Sequence, residues 1–440
     1  MPRSRLTVCV DRAYLSAREE RRNVCIVVER DSVVSVEGGS RGAGEVYDYR
    51  GLGSVAVPGI VDLHVHLRGL LQSYKEDEES GTKAAARGGV AVVADMPNTT
   101  PFLNTWRAVR EKLEALEEGA VVDYALYSGV PDNYRELERI LELPIAGFKI
   151  YPKDYGGSIL CKLFSEASRR GLLVVVHPED PYMSRVEAGW SREVYQNCSS
   201  ELSAVDYMLS LYYSCGKPRI HFTHLSCPTV FERVLRKALA GEKVSCDTTP
   251  HHLLASMKTS KPFSWYCYEK VNPPLRSQLK SWTLFQKIVE AVLSSAPCSI
   301  ASDHAPHADW EKREHPFLCP PGIASLEYWP GAVARIAERR LVDIIIAATS
   351  TNPARTLGLK KLGEIKPGST ASITVFGPPG RSLYTPKYSR ARHAYYSMLE
   401  GLETLLTLVR GRPVYTAGEG VLADPGYGKN VVNLEERTTL

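Results

Sequence analysis

Short apolar runs alternate with helix-like segments through the middle of the chain. The runs are rich in β-branched residues and bounded by polar or turn residues, as is typical of buried strands. There are eight of them: Ser54–His66, Val90–Asp95, Val121–Ser128, Ile145–Tyr151, Leu172–His177, Arg219–His224, Val244–Asp247 and Cys298–Asp303. Apolar residues recur with a helical period in the intervening segments Thr105–Glu118, Ser158–Arg170, Ser200–Ser214, Thr229–Ala240 and Leu279–Leu293. Eight strand–helix units predict an α/β fold, the (β/α)₈ TIM barrel, whose active site lies at the carboxyl ends of the strands.

The two ends of the chain have a different pattern. Residues 6–57 and about 366–430 contain alternating runs, such as Val24–Glu29 and Thr404–Arg410, with Gly-rich turns. Such runs predict short antiparallel strands, which we expect to pair into one small β-sandwich beside the barrel. The alternative is two unrelated extensions. The predicted domains are therefore 1–57 (N-terminal part of the sandwich), 58–365 (barrel) and 366–440 (C-terminal part of the sandwich and tail).

Candidate metal ligands stand at the ends of five of the predicted strands. His64 and His66 are two apart and so lie on the same face of a strand. A structural role in the core could explain any one of these histidines, including His177. It does not explain why all of them lie at the carboxyl ends of predicted strands, on the same edge of the barrel. Histidine and carboxylate ligands without cysteine suit Zn²⁺, Mn²⁺ or Co²⁺ at an open catalytic site. The candidate ligands are His64, His66, Lys149, His177, His224 and Asp303.

Lys149 needs a chemical explanation, because an ammonium group repels metal cations. A neutral lysine amine that has reacted with CO₂ becomes a carbamate, which can bridge two ions as a carboxylate does, and burial favours the neutral amine. The alternative is an ordinary lysine at the rim, with Asp154 as the bridge. Metal ions bridged by either residue would activate a water molecule and polarise a carbonyl group, and Asp303 would move the proton. This chemistry predicts hydrolysis, or its reversal, at an amide-like carbon.

Composition narrows the class of protein. The net charge of +4 is small for 440 residues, and no long basic run is present, so nucleic acid is an unexpected partner. No apolar run approaches the length of a membrane span, and the N-terminus lacks the apolar region of a signal peptide, so we expect a cytoplasmic protein. The ten cysteines contain no C-x-x-C pair, and we expect most of them to be small buried hydrophobic residues, with disulfides left open.

Several motifs then resemble the cyclic amidohydrolases, and within them the dihydroorotases, from about residue 24 to 412. The motifs occur in the order of that family: Asp62–Arg68, Met96–Thr99, Gly147–Tyr151, His177–Asp180, His221–Ser226, Thr249–Leu253, Val271–Arg276 and Ala301–His307. One departure is that Arg68 is followed by Gly69-Leu70-Leu71, where the family often continues Glu-Pro-Gly. That change removes a carboxylate beside the site.

The resemblance implies a set of residue roles. It implies zinc, two ions bridged by N6-carboxylated Lys149, with Asp303 as a metal ligand and as the general acid and base. It implies a substrate carboxylate bound by Arg68, Asn98 and His307, and a ring contacted by Asn272 and the Pro321-Gly322 turn. His221, His251 and His252 are not expected to bind metal; we expect His221 to face the helices.

The implied activity is the reversible cyclisation of N-carbamoyl-L-aspartate to L-dihydroorotate in de novo pyrimidine biosynthesis, by a metal-activated hydroxide. Allantoinase and dihydropyrimidinase are the alternatives within the family, but their substrates would leave Arg68 without a carboxylate. A non-catalytic scaffold paralogue is a further alternative, although all six ligands are present. The resemblance also implies a homo-oligomer and an association with aspartate transcarbamoylase.

Overall fold

The computed structural model describes residues 5–39, 44–183, 192–254, 266–337, 342–379, 386–392 and 401–434. Its strands are β1 (Arg5–Ser16), β2 (Glu19–Glu29), β3 (Ser32–Gly38), β4 (Glu45–Asp48), β5 (Val55–Pro58), β6 (Ile60–Val65), β7 (Val90–Asp95), β8 (Asp123–Gly129), β9 (Gly147–Ile150), β10 (Leu173–Val176), β11 (Arg219–Phe222), β12 (Val244–Thr248), β13 (Cys298–Ile300), β14 (Ile373–Pro379), β15 (Leu402–Val409), β16 (Arg412–Thr416) and β17 (Gly420–Val421).

The helices of the same residues are α1 (Glu78–Gly88), α2 (Trp106–Gly119), α3 (Tyr134–Ile140), α4 (Leu160–Arg170), α5 (Arg192–Tyr195), α6 (Cys198–Ser214), α7 (Pro228–Leu239), α8 (Pro250–Leu254), α9 (Tyr266–Glu269), α10 (Gln278–Leu293), α11 (Asp309–Lys312), α12 (Trp329–Ala337), α13 (Val342–Ile346) and α14 (Asn352–Leu357). None of the helices in the described ranges is long and apolar enough to cross a membrane.

Strands β6 to β13 form one parallel sheet in chain order, each paired with the next. The two outermost strands of this sheet meet through a parallel bridge between Val65 and His304 and a hydrogen bond from the His66 backbone N to the His304 carbonyl, 2.8 Å long. The Asp62 carboxylate also accepts a hydrogen bond from the Ser302 backbone N at 3.0 Å. The predicted eight-stranded barrel is thereby confirmed.

Gly59 divides the first predicted strand in two. Its backbone N donates to the Ser372 carbonyl at 2.8 Å, and a Cβ at this position would lie 2.9 Å from the Ser372 backbone. Only glycine allows the two chains to approach so closely. The residues before it form β5, which belongs to the second sheet, and those after it form β6, the first barrel strand.

The second sheet is built from both chain ends, as predicted. Its order is β17-β16-β15-β14-β5-β1-β2-β3, with β4 paired to β1, so the expected sandwich is one continuous hydrogen-bonded sheet. The central link is β5, which is parallel to β1 and antiparallel to β14. A buried cluster that includes Val8, Ile26, Ile373 and Leu406 packs on one side of it.

Eight of the cysteines form disulfides, which corrects the expectation that most are plain hydrophobic residues. The pairs are Cys9–Cys25, Cys161–Cys215, Cys198–Cys227 and Cys267–Cys319. Cys246 and Cys298 are buried thiols on the neighbouring strands β12 and β13. Sequence spacing could not reveal these pairs, because the two cysteines of each pair are 16 to 54 residues apart and meet only in the folded chain.

Candidate metal centre and active site

The candidate ligands lie at the carboxyl ends of the barrel strands. His64 is on β6 and Lys149 is on β9, while His66 and His177 directly follow β6 and β10. His224 and Asp303 lie two and three residues beyond the ends of β11 and β13. All six of these side chains are buried: His64, His66, Lys149, His177, His224 and Asp303. The barrel therefore brings together polar groups that are far apart in the sequence.

Three residues of this rim have positive φ angles, which are uncommon for residues with a side chain. They are Arg68 (57°), His224 (40°) and Asp303 (48°). The His224 backbone is held by a hydrogen bond from its N to Asp247 Oδ1, 2.6 Å long. Strained backbone that the surrounding fold maintains is characteristic of functional sites.

The donor atoms converge in two connected groups. His64 Nε2 and His66 Nε2 each lie 3.2 Å from Asp303 Oδ1. His224 Nε2 lies 2.8 Å from His177 Nδ1. The two groups meet where the His64 and His224 ring centroids are 5.2 Å apart.

This donor set fits a divalent cation. Two ligand atoms at roughly 2.1 Å from one tetrahedral zinc ion are about 3.4 Å apart, close to the separations found here. Burial lowers the pKa values of His64, His66 and His224 well below the ordinary value, so the imidazoles are neutral and keep a lone pair for a metal. His64, His66 and Asp303 thus form a candidate metal site.

Lys149 is fully buried, and its Nζ donates to Thr223 Oγ1 at 2.8 Å. Burial lowers the pKa of the amine to about 7, although Asp247 and Asp303 oppose the shift. A substantial neutral fraction is therefore present near pH 7, which is the form that reacts with CO₂. Asp154, the alternative bridge, instead accepts a hydrogen bond from the Tyr151 backbone N at 2.8 Å, which directs that oxygen to its own turn.

Asp303 has the properties of a proton carrier. Burial raises the pKa of its carboxyl to about 7, against the opposing effects of Lys149 and His177. A carboxyl whose pKa is near the working pH can both accept and release a proton, as general acid–base catalysis requires.

Arg68 and His307 lie together beside this cluster. Arg68 Nε donates to the Pro306 carbonyl at 3.3 Å, and its guanidinium is 3.4 Å from His307 Nε2. No carboxylate pairs with the buried Arg68 guanidinium within the part of the chain that the structure describes. His307 Nδ1 faces Lys75 Nζ at 3.3 Å, and Lys75 is paired with Glu311 at 2.8 Å.

Lys112 supports the loop that carries Arg68. It donates to the Arg68 carbonyl at 2.8 Å and to Glu78 at 2.5 Å, and it lies 3.0 Å from Asp95. Gly69 follows with φ of 68°, and a Cβ there would lie 2.1 Å from Glu78 Oε1. The unusual glycine after Arg68 therefore makes room for the Glu78 carboxylate.

The other predicted substrate residues are placed as follows. Asn98 Oδ1 accepts a hydrogen bond from His66 Nδ1, which leaves His66 Nε2 free to face Asp303. Asn272 accepts from Arg192 and from Gln196. The Pro321 carbonyl is 3.0 Å from His307 Nε2. Gly322 has φ of 147°, and a Cβ there would clash with Ala305 O at 2.4 Å.

The structure adds residues that the sequence did not single out. Glu179 Oε2 accepts from His177 Nε2 at 2.8 Å, the carboxylate contact that often orients a metal-binding histidine. The only indication of this role in the sequence is the position of Glu179, two residues after His177.

A polar chain in the barrel interior corrects the expectation that His221 faces the helices. His221 Nδ1 lies 2.9 Å from Ser245 Oγ, and its Nε2 lies 2.8 Å from Asp247 Oδ2. Since Asp247 also holds the His224 backbone, the chain Ser245–His221–Asp247 ends at a candidate metal ligand. The offset of three from His224 was misleading, because the strand ends at Phe222 and His224 lies beyond it.

Comparison with known proteins identifies the family. A model described as the amidohydrolase family matches residues 55–414. The chain belongs to the amidohydrolase family. This amidohydrolase is 42% identical to a protein named dihydroorotase from Aeropyrum pernix, over 94% of this chain and 96% of that protein. It is 35% identical to one of the same name from Saccharolobus solfataricus, over 77% of this chain and 78% of that protein.

Solved structures of similar fold include hydantoinases. The L-hydantoinase of Arthrobacter aurescens has a TM-score of 0.83 and 23% identity, over 96% of this chain and 98% of that chain. The D-hydantoinase of a Thermus species has a TM-score of 0.84 and 19% identity, over 99% of this chain and all of that chain (100%). At these identities the likeness concerns the fold of this amidohydrolase alone.

Proposed function

We propose that this chain is a dihydroorotase, which interconverts N-carbamoyl-L-aspartate and L-dihydroorotate in pyrimidine biosynthesis. The observation that carries the proposal is Arg68, whose buried guanidinium has no carboxylate partner among the described residues. A buried charge without a counter-ion is costly, and a substrate carboxylate provides one. The 42% identity to a protein named dihydroorotase supports the same assignment.

Under the proposed function, the metal centre would hold two Zn²⁺ ions. Their ligands are His64, His66, His177, His224, Asp303 and Lys149 in its N6-carboxylated form. The neutral imidazoles and the lowered pKa of Lys149 suit that use. When bound, the ions polarise the carbonyl under attack and lower the pKa of water.

The residues around Arg68 bind the substrate carboxylate. The guanidinium offers two parallel donors to a carboxylate, and His307, 3.4 Å away, offers another polar contact to the same group. We assign Asn98 to this carboxylate too, and Asn272 and the Pro321-Gly322 turn to the ring. Lys75 is neutralised by Glu311, so the positive charge that an anionic substrate needs comes from the Arg68 guanidinium, which has no carboxylate partner among the described residues.

Asp303 moves the proton. In hydrolysis it accepts a proton from the attacking water and delivers it to the ring nitrogen as the C–N bond breaks. In cyclisation the proton travels the other way, from the ureido nitrogen to the departing water. A carboxyl with a pKa raised to about 7 can serve both directions at neutral pH.

Substrate choice tests the proposal. Zinc-loaded protein should convert carbamoyl aspartate and dihydroorotate, and should leave dihydrouracil, hydantoin and allantoin unchanged. Arg68→Gln should lose most of this activity, whereas Arg107→Gln, at an exposed arginine of α2, should keep it. Turnover of dihydrouracil without turnover of dihydroorotate would favour the dihydropyrimidinase alternative. A protein that binds no metal and turns over none of these compounds would favour a scaffold.

Homo-oligomerisation, association with aspartate transcarbamoylase and a cytoplasmic location stay predictions.

A further inference from the structure

A cavity of about 620 Å³ opens at the amino-terminal face of the barrel, opposite the candidate metal centre. It is lined at the starts of β10, β11 and β12 by Leu173, Arg219 and Val244, and on another side by Thr356 and Leu359. Its volume falls within the range of small-molecule sites. None of the residues assigned to the proposed reaction lines it.

The mouth of the cavity is cationic. Its lining includes seven Lys or Arg residues and two Glu residues. Both acids are engaged: Glu242 accepts from Tyr212 at 2.8 Å, and Glu364 pairs with Lys366 at 2.6 Å. Among the described residues, Arg219, Lys243 and Arg355 have no carboxylate partner. An excess of positive charge in a concave site attracts anions.

Arg219 is a positioned cation of this wall. Its guanidinium donates to the carbonyls of Arg355 at 3.1 Å and Thr356 at 2.5 Å. These bonds fix the guanidinium plane against the last turn of α14, so it is held in place before any ligand arrives. Pre-organised donors of this kind lower the cost of binding.

The floor of the cavity is apolar and carries an unused hydroxyl. Leu173, Val244, Leu359 and Val431 are buried there. Thr356 is only 4% exposed, and its Oγ1 has no hydrogen-bond partner among the described residues. A buried polar atom without a partner is rare and costly, so it points to a group that completes it.

We propose that this cavity is a second ligand site of the protein, for a nucleoside phosphate or a similar organic phosphate. The phosphate lies at the cationic mouth, the flat ring packs on the apolar floor, and a polar ring atom bonds to Thr356 Oγ1. The floor also includes Ser245, the first member of the polar chain Ser245–His221–Asp247 that ends at His224. An occupant in contact with Ser245 therefore bears on the position of His224.

Calorimetric titration of the full chain with ATP tests the site, with tripolyphosphate as the probe for charge alone and adenosine for the ring alone. ATP should bind at least tenfold more tightly than either part. The double variant Lys243→Gln/Arg355→Gln should weaken ATP binding at least tenfold. The matched double variant Arg110→Gln/Lys162→Gln, at exposed cations elsewhere, should not. Thr356→Val should weaken ATP and adenosine but not tripolyphosphate.

Two results would overturn the site. One is no saturable binding of ATP. The other is ATP binding that survives in the Lys243→Gln/Arg355→Gln variant but is lost in Arg68→Gln, which would place the ligand at the other face of the barrel.

The link to His224 is tested separately and rests on the proposed function. Saturating ATP should change kcat for dihydroorotate at least twofold, and Ser245→Ala should bind ATP without that change. An unchanged rate in the unmodified protein, with ATP bound, would overturn the link. A protein inactive on dihydroorotate even without ATP would count against the proposed function and leave the binding result standing.

Discussion

The carboxyl rim of the barrel and the sheet built from both chain ends bury their side chains in opposite ways. In the sheet the hydrophobic cluster is aliphatic, with residues such as Val8, Ile26 and Leu406. The positive φ angles of Asn23, Arg30 and Arg410 fall outside this cluster, at positions that are exposed or half-buried. At the rim the buried groups are ionisable, and the positive φ angles belong to Arg68, His224 and Asp303 themselves. The sheet thus adds stability, whereas the rim accepts strain and desolvation to hold reactive groups in place.

The largest expected effect is at Asp303. Under the proposed function, Asp303→Ala should lower kcat by roughly 10²–10⁴-fold, because the proton carrier is lost. The Tm of the metal-free variant should not fall, because burial raises the pKa of this carboxyl to about 7 and so disfavours its charged form. A large loss of Tm with much of kcat retained would show that Asp303 is a structural residue.

Lys149→Ala should remove metal as well as activity, and added short carboxylic acids should restore part of both. Metal content by mass spectrometry and the rate of dihydroorotate hydrolysis are the measurements. Lys312→Met is the matched control, since burial also lowers the pKa of Lys312 to about 7, but its Nζ donates to the carbonyls of Cys267 and Pro320. If Lys149→Ala keeps its metal and rate, the carbamate does not exist.

Arg68→Gln should lower kcat/KM for dihydroorotate by roughly 30–100-fold, the equivalent of about 2–3 kcal/mol for one partner of a buried charged contact. Metal content should stay the same, because the Arg68 guanidinium contacts Pro306 and His307 and not the candidate ligands. Steady-state kinetics and metal analysis separate the two effects. An unchanged kcat/KM would mean that the substrate has been assigned wrongly.

In the sheet, Ile26→Ala should lower the free energy of unfolding by about 2–4 kcal/mol, because a fully buried side chain leaves a cavity. kcat/KM should not change. Val34→Ala, at a side chain 43% exposed on β3, is the control and should stay within about 0.5 kcal/mol. Denaturant unfolding and steady-state kinetics on the same samples measure the two effects. A fall in kcat/KM in Ile26→Ala would show that the sheet and the carboxyl rim are not separable.

Much of the fold follows from periodicity. The predicted run Val90–Asp95 is the observed β7, and the predicted helix Thr105–Glu118 differs from α2 by one residue at each end. Periodicity failed at Gly59, because the requirement for glycine there comes from Ser372, more than 300 residues away. The start of α4 at Leu160 instead of Ser158 is a smaller error of the same kind, since no side chain caps this helix.

The site was less predictable in its supporting residues than in its candidate ligands. Histidines at strand ends have a sequence signal, but nothing in the sequence singles out Lys112, which is fully buried against Glu78 and Asp95. His221 was misplaced because a period-two argument was extended beyond the end of β11. Roles of this kind depend on contacts between distant segments, which one sequence does not display.

The junction between the first and last barrel strands has a consequence for how the protein matures. Neighbouring strands elsewhere share ladders, regular between β9 and β10 and with register shifts between β6 and β7. In contrast, β6 and β13 meet through the Val65–His304 bridge and the Asp62 side chain. His64 and Asp303 stand on the two sides of this junction, so an ion bound by both would cross-link the strands. We expect that removal of the metal with a chelator makes the amide hydrogens of Ile60–Val65 exchange with solvent faster than the amide hydrogens of β7. Closure of the barrel would then depend on the supply of metal while the chain is being made.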